Sequence, residues 1–200
     1  MSTSSIKFDK KSFKMKVENI FNDVLLIKNN TFDDSRGFFV ELFNLKIFKD
    51  KKIPHEFVQD NLSFSLKKNT IRGLHYQKPP FEQSKLISLI SGSIQDVFID
   101  IRPGSRNFGK YKSIILDQFG DSLYIPKGYL HGFCTLSDDT IIKYKVDNFY
   151  DKNSETGICW DDEFLNIDWN LSTDNPILSE KDSSLLSWEE FIDNLELIND

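Results

Sequence analysis

Lys85-Leu86-Ile87-Ser88-Leu89-Ile90-Ser91-Gly92-Ser93-Ile94-Gln95-Asp96-Val97-Phe98-Ile99-Asp100-Ile101 is the stretch that decides the fold class. Two apolar runs flank Gly92-Ser93, and glycine takes up a positive φ at no steric cost. The pattern predicts strands over Lys85 to Ser91 and Ile94 to Ile101, joined as a two-residue hairpin. In the second strand Val97, Ile99 and Ile101 share one face, and Ile94, Asp96, Phe98 and Asp100 share the other. Pro103-Gly104-Ser105 ends it.

Working outward, short strands separated by turn residues recur from about Phe38 to Val146, the rhythm of a sandwich or barrel. Further strands are expected at Lys110 to Leu116, Ser122 to Ile125, His131 to Leu136 and Thr140 to Asp147. Asp117 to Asp121 and Ser137 to Asp139 are the turns between them. In the last strand Ile142, Tyr144 and Val146 point together, so Tyr144 shares a face with apolar neighbours. The 18 phenylalanines, against 9 glycines and 2 methionines, suit a pleated, half-buried interior. Helical signal is weak except at the C-terminus, where Ser187-Trp188-Glu189-Glu190 matches a capping box and Trp188, Phe191, Leu195 and Ile198 recur at helical spacing.

The chain has 200 residues, 39% of them hydrophobic, enough for one core, and no composition break divides it. One all-β domain is expected over 17–186, followed by a helix at 187–200 packed on it and preceded by a polar arm at 1–16. Lysine-rich and without an apolar core segment, that arm reads as a solvated or exchanged tail and not as a signal peptide. With two cysteines far apart in sequence, Cys134 and Cys159, reduced thiols and a cytoplasmic location are expected. No apolar run has the length of a membrane helix, and a net charge of -6 argues against tracking nucleic-acid phosphates.

Two of the three histidines lie in Arg72-Gly73-Leu74-His75-Tyr76-Gln77 and in Ile125-Pro126-Lys127-Gly128-Tyr129-Leu130-His131-Gly132-Phe133, each in an apolar, strand-like setting. No second histidine lies within two positions of His75 and no CxxC is present, so no metal site is read. A Gly-x-Ser-x-Gly elbow and glycine-rich phosphate loops are also missing, which leaves Arg36, Arg72, Lys85 and Lys127 to meet any phosphate by side chain. What remains is a histidine with cationic and phenolic partners, suited to removing a proton beside a carbonyl. A lone histidine on an apolar strand is more often structural, and the residues by themselves leave both readings open.

In addition to these motifs, the chain carries Phe32-Asp33-Asp34-Ser35-Arg36-Gly37-Phe38-Phe39-Val40-Glu41, Phe57-Val58-Gln59-Asp60-Asn61, Gln83-Ser84-Lys85-Leu86, Asn148-Phe149-Tyr150 and Leu178-Ser179-Glu180-Lys181-Asp182. In this order they resemble the dTDP-4-dehydrorhamnose 3,5-epimerases, from about Val17 to Leu186. The resemblance implies a cupin-like jelly-roll sandwich or barrel with a few short peripheral helices, acting without cofactor or metal on a dTDP-4-keto-6-deoxyhexose. It implies His75 as general base, Asp182 as its orienting carboxylate, Tyr144 as general acid and Lys85 as stabiliser of the enolate at C4. His131 would line the sugar, and Arg36, Arg72, Gln59 and Asn61 would bind diphosphate and sugar. Glu41 would lie near the nucleoside, with Tyr150 and, from the other subunit, Phe39 stacking on the base. The resemblance further implies a homodimer with exchanged N-terminal strands. Within the same likeness stand a single-centre epimerase, a ketoisomerase on another nucleotide sugar, and a catalytically silent nucleotide-sugar binder. Ser84 stands where the family commonly has glycine, and Leu62 where some members carry histidine.

Overall fold

The computed structural model describes residues 15–117 and 119–199, with side chains described as far as Leu195. Among these residues the strands are β1 (Lys16–Phe21), β2 (Val24–Lys28), β3 (Thr31–Asp34), β4 (Gly37–Val40), β5 (Gln59–Ser65), β6 (Ile71–Gln77) and β7 (Lys85–Ser91). They continue with β8 (Ile94–Asp100), β9 (Tyr111–Leu116), β10 (Asp121–Ile125), β11 (Tyr129–Thr135), β12 (Thr140–Val146) and β13 (Glu155–Gly157). Two helices, α1 (Leu45–Asp50) and α2 (Trp188–Asn199), and a 3-10 turn at Asp182–Ser184 complete the set. The strands form a six-stranded sheet in the order β1-β2-β10-β7-β12-β5, a five-stranded sheet in the order β13-β6-β11-β8-β9, and a separate β3-β4 ribbon. The two large sheets stack as an antiparallel jelly-roll sandwich.

Alternation along β8 positions the interior. Ile94 and Phe98 enter the core between the sheets together with Ile87, Leu89, Phe133 and Ile142. Val97, Ile99 and Ile101 face the other way, into a second core capped by Trp169 and Phe191. A third cluster, around Phe48 of α1, covers the outer face of the six-stranded sheet. Strands buried on both faces read as near-continuous apolar runs, which is what the sequence displays.

The Gly92-Ser93 turn is not the hairpin that its sequence predicts. β7 pairs with β10 and β12, whereas β8 pairs with β9 and β11, so this turn carries the chain from one sheet into the other. Gly92 keeps its positive φ of 87°, and a Cβ there would run into the side chains of Thr140 and Ser137. The turn chemistry holds and the pairing does not. Two strands that are each apolar on both faces need a core on either side, and central places in two stacked sheets provide that where a two-stranded ribbon cannot.

At the C-terminus the capping box forms as expected: Glu190 N–H donates to Ser187 Oγ at 3.3 Å, and Ser187 N–H to Glu190 Oε2 at 2.8 Å. Phe191 is fully buried and Trp188, Ile192 and Leu195 pack beside it, while the side chain of Ile198 lies outside the described residues. Most of the expected arm, residues 1–14, is also outside them; Met15 is buried and β1 pairs with β2 of the same chain. Among the described residues no helix is long and apolar enough to cross a membrane.

Candidate active site

A cavity of about 370 Å³ opens between the two sheets, with His75, Lys85, His131, Tyr144 and Asp182 among the residues that line it. His75 on β6 and His131 on β11 are directly paired across the five-stranded sheet. The glycine beside His75 makes this close pairing possible: Gly73 has φ 113°, and a Cβ there would sit 2.7 Å from the His131 carbonyl oxygen. On the facing sheet Lys85 opens β7 and Tyr144 lies on the neighbouring β12, where Val146 pairs with Lys85 and Tyr144 with Ile87. The bases and the phenol therefore occupy opposite walls.

Asp182 arrives from 107 positions downstream, and its Oδ1 lies 2.6 Å from His75 Nε2. The segment carrying it returns along the five-stranded sheet and is fastened by parallel bridges between Thr70 and Ile177 and between Ile158 and Leu186. Burial pushes the Asp182 carboxyl up, but hydrogen bonds from His75, Gly73 N–H and Ser179 outweigh it and leave the group below its ordinary value. An ionised Asp182 accepts the Nε2 proton, so the lone pair of His75 sits on Nδ1.

Lys85 belongs to a second chain of contacts. His131 Nε2 is 3.0 Å from both oxygens of Asp96, which is fully buried, and its Nδ1 lies 3.5 Å from Lys85 Nζ. Burial lowers the His131 pKa despite Asp96, so the ring is neutral, donating to Asp96 and accepting from the ammonium. Burial also drives Lys85 down, from 10.5 to about 8, with Asp96 and Glu155 pulling the other way. An ammonium held in such a place meets developing negative charge without first having to shed water. The Tyr144 hydroxyl is raised, chiefly by burial, and stays protonated at neutral pH.

The other sequence candidates divide. Arg72 reaches the cavity and is steadied by Ser65 Oγ at 3.2 Å and the Phe64 carbonyl at 3.1 Å. Gln59 and Asn61 lie on β5, Asn61 paired opposite Tyr144 and Gln59 Nε2 donating to Asn61 Oδ1 at 2.8 Å, but of this strand it is Ser63 that lines the cavity and not these two. Tyr150 lines the mouth, its hydroxyl donating to Glu155 Oε2 at 2.7 Å. Arg36, Phe39 and Glu41 are not brought to this cavity by their own chain. Arg36 pairs with Asp34 on the exposed β3-β4 ribbon, Phe39 is 65% exposed, and Glu41 lines a separate groove on the outer face of the six-stranded sheet.

Sequence reasoning missed Asp96, Glu155 and Lys181. Lys181 Nζ is 2.5 Å from Glu155 Oε1, closing the cavity rim next to Asp182. The signal for Asp96 was present: an acid between Ile94 and Phe98 on an inward face needs a partner, and the nearest strand offers His131. Among the described residues no three His, Cys, Asp or Glu side chains are grouped so as to hold a metal ion.

Residues 18–190 match the family model described as dTDP-4-dehydrorhamnose 3,5-epimerase. The chain belongs to this epimerase family. It is similar to the dTDP-4-dehydrorhamnose 3,5-epimerase of Escherichia coli K12, 45% identical over 178 residues that cover 88% of this chain and 95% of the relative. Among solved structures, the epimerase of Bacillus anthracis with TDP and PPi bound superposes with a TM-score of 0.83 at 44% identity, covering 87% of this chain and 99% of that one. The Legionella pneumophila epimerase in complex with dTDP-4-keto-L-rhamnose gives 0.83 at 37% identity, covering 91% and 97%. As a member of the epimerase family the protein is an isomerase with the cupin-like fold of its relatives.

Proposed function

We propose that this epimerase inverts C3 and C5 of dTDP-4-dehydro-6-deoxy-D-glucose to give dTDP-4-dehydro-L-rhamnose. The observation that carries the reading is the convergence of the His75–Asp182 pair, Lys85 and Tyr144 on one cavity, with base and phenol on opposite walls. A proton beside a ketone is far less acidic than an imidazolium, whose pKa is ~6.5, and that gap is one a base alone cannot cross. His75 Nδ1 takes the proton from C3 or C5, the C–H electrons form a double bond to C4, and the carbonyl π pair moves to the C4 oxygen as an enolate. Lys85 meets that charge, and Asp182 holds the imidazolium that forms. Tyr144 then delivers its proton to the carbon from the opposite face, and the double bond returns to the C4 carbonyl. Both carbons flank C4, so one base and one acid serve each in turn, once the His75 imidazolium has released its proton to solvent and the Tyr144 phenolate has taken one up.

Arg72, Gln59 and Asn61 would take the diphosphate and sugar, and Tyr150 would stack on the nucleoside. Arg36, Phe39 and Glu41 would reach the cavity of a second copy in a homodimer with exchanged N-terminal segments. Exposed Phe32, Phe38 and Phe39 on the ribbon, exposed Leu62 and Phe64 on the edge strand β5 and Leu66 just past its end support such an assembly, since so much exposed apolar surface marks an interaction face.

The test is NMR of the protein with dTDP-4-dehydro-6-deoxy-D-glucose in deuterium oxide. Deuterium should enter C3 and C5 and the L-rhamno product should accumulate. Entry at a single carbon would establish a one-centre enzyme, and no entry at either would overturn the reading.

A further inference from the structure

Gln77 ends β6 and is 7% exposed, yet its side chain spends every polar atom on backbone groups outside its own strand. Nε2 donates to the Phe81 carbonyl at 2.6 Å and to the Phe149 carbonyl at 3.2 Å, while Oε1 accepts from Asp151 N–H at 2.8 Å. Two acceptors and one donor fix the amide orientation, because the flipped amide would set oxygen against oxygen. The residue between the two bonded backbone groups is Tyr150. Its hydroxyl is held by Glu155, which pairs directly with Gln77 across β6 and β13. Tyr150 is therefore gripped behind its backbone by Gln77 and at its tip by Gln77's strand partner, and the residue is 56% exposed at the cavity mouth.

Such a mounting has a specific use. A tyrosine on a mobile loop loses freedom when a flat ring stacks on it, and that loss weakens binding; a tyrosine fixed beforehand does not. We infer that Gln77 is a positioning residue that pre-sets Tyr150 for the nucleoside, and so determines nucleotide affinity without taking part in proton transfer. The inference rests on the reading of Tyr150 as the nucleoside contact. The bonds of Gln77 to Phe81 and Phe149 join those of Gln83 and Asn148 in tying the 78–84 loop to the 148–154 loop.

The experiment is titration calorimetry of the full chain with dTDP and, separately, with pyrophosphate, for wild type, Gln77→Met, Tyr150→Ala and the double variant. Gln77→Met keeps the length and removes all three hydrogen bonds. It should weaken dTDP about tenfold, leave pyrophosphate within about twofold, and add nothing in the Tyr150→Ala background, since residues acting as a unit are not additive. In turnover KM should rise with kcat held within about twofold. Gln77→Glu, which keeps the acceptor for Asp151 but faces two carbonyls without a donor, should behave alike and serves if Gln77→Met does not fold. Wild-type affinity for dTDP in either folded variant, equal loss for pyrophosphate, or full additivity with Tyr150→Ala would overturn the inference. Failure of wild type itself to bind dTDP would sink the proposed function instead.

Discussion

Replacing Lys85 by methionine should make the protein more stable and nearly inactive. Burial lowers the Lys85 pKa from 10.5 to about 8, so at pH 7 the group is still largely protonated in a place that disfavours its charge. At roughly 1.4 kcal/mol per pH unit, that depression is a penalty of up to about 3 kcal/mol on the folded state. Methionine matches the stem and carries no charge, so Lys85→Met should gain about 1–3 kcal/mol at pH 7, the lower value if the lost contact with His131 counts against it. The sign with pH follows from proton binding. Between about pH 8 and 10.5 the unfolded chain holds the lysine proton and the folded chain does not, so wild-type stability from this group rises with pH across that window. The advantage of the variant should therefore shrink from pH 7 to pH 9.5. Urea unfolding of both proteins at the two pH values measures the difference directly, and titrating groups common to both cancel. Loss of the enolate partner should lower kcat by a factor of about 10²–10³, and wild-type kcat should itself decline above about pH 8 as the ammonium deprotonates. A variant less stable than wild type at pH 7, or a gap that does not narrow by pH 9.5, would refute the account of Lys85 as a charge held at the fold's expense.

Asp182→Asn keeps the shape but withdraws the charge that sits 2.6 Å from His75 Nε2. It should cut kcat by about 10²–10⁴ with KM little changed, and steady-state kinetics within threefold of wild type would dismiss the dyad. Tyr144→Phe should still wash deuterium into the substrate, because His75 and Lys85 remain, while accumulating about 10²-fold less epimerised product. Equal loss of exchange and inversion would place Tyr144 in substrate binding and not in proton return.

The fold was legible wherever one segment's own pattern settles its state. The two faces of β8, the apolar side of Tyr144 and the capping box at Ser187 each follow from alternation or spacing within a few residues, and each stands in the structure. Partner choice was not legible, as the sheet-to-sheet turn at Gly92 shows, because hydrogen-bonding alternatives of equal local quality are decided by what covers each face. The site divides the same way. His75 and His131 stood out by type and setting, whereas nothing local links His75 to Asp182 or His131 to Asp96, and only the family resemblance supplied the first of these pairs. Glu155 and Lys181 carry no motif at all; their ion pair exists because β13 and the returning segment meet at one rim.

The two parallel bridges that fasten the returning segment have a consequence for when the protein becomes able to react. Both sheets are finished by β13, but the carboxylate beside His75 comes only with the later segment, which is fastened on either side of it at Ile177 and Leu186. A chain interrupted after β13 would keep Lys85 and Tyr144 in its sequence but would lose Ser179, Lys181 and Asp182 from the cavity lining and Trp169 and Phe191 from the second core. On the proposed mechanism, full proton abstraction would therefore wait for the last segment to be in place, and a copy clipped before it would turn over far more slowly.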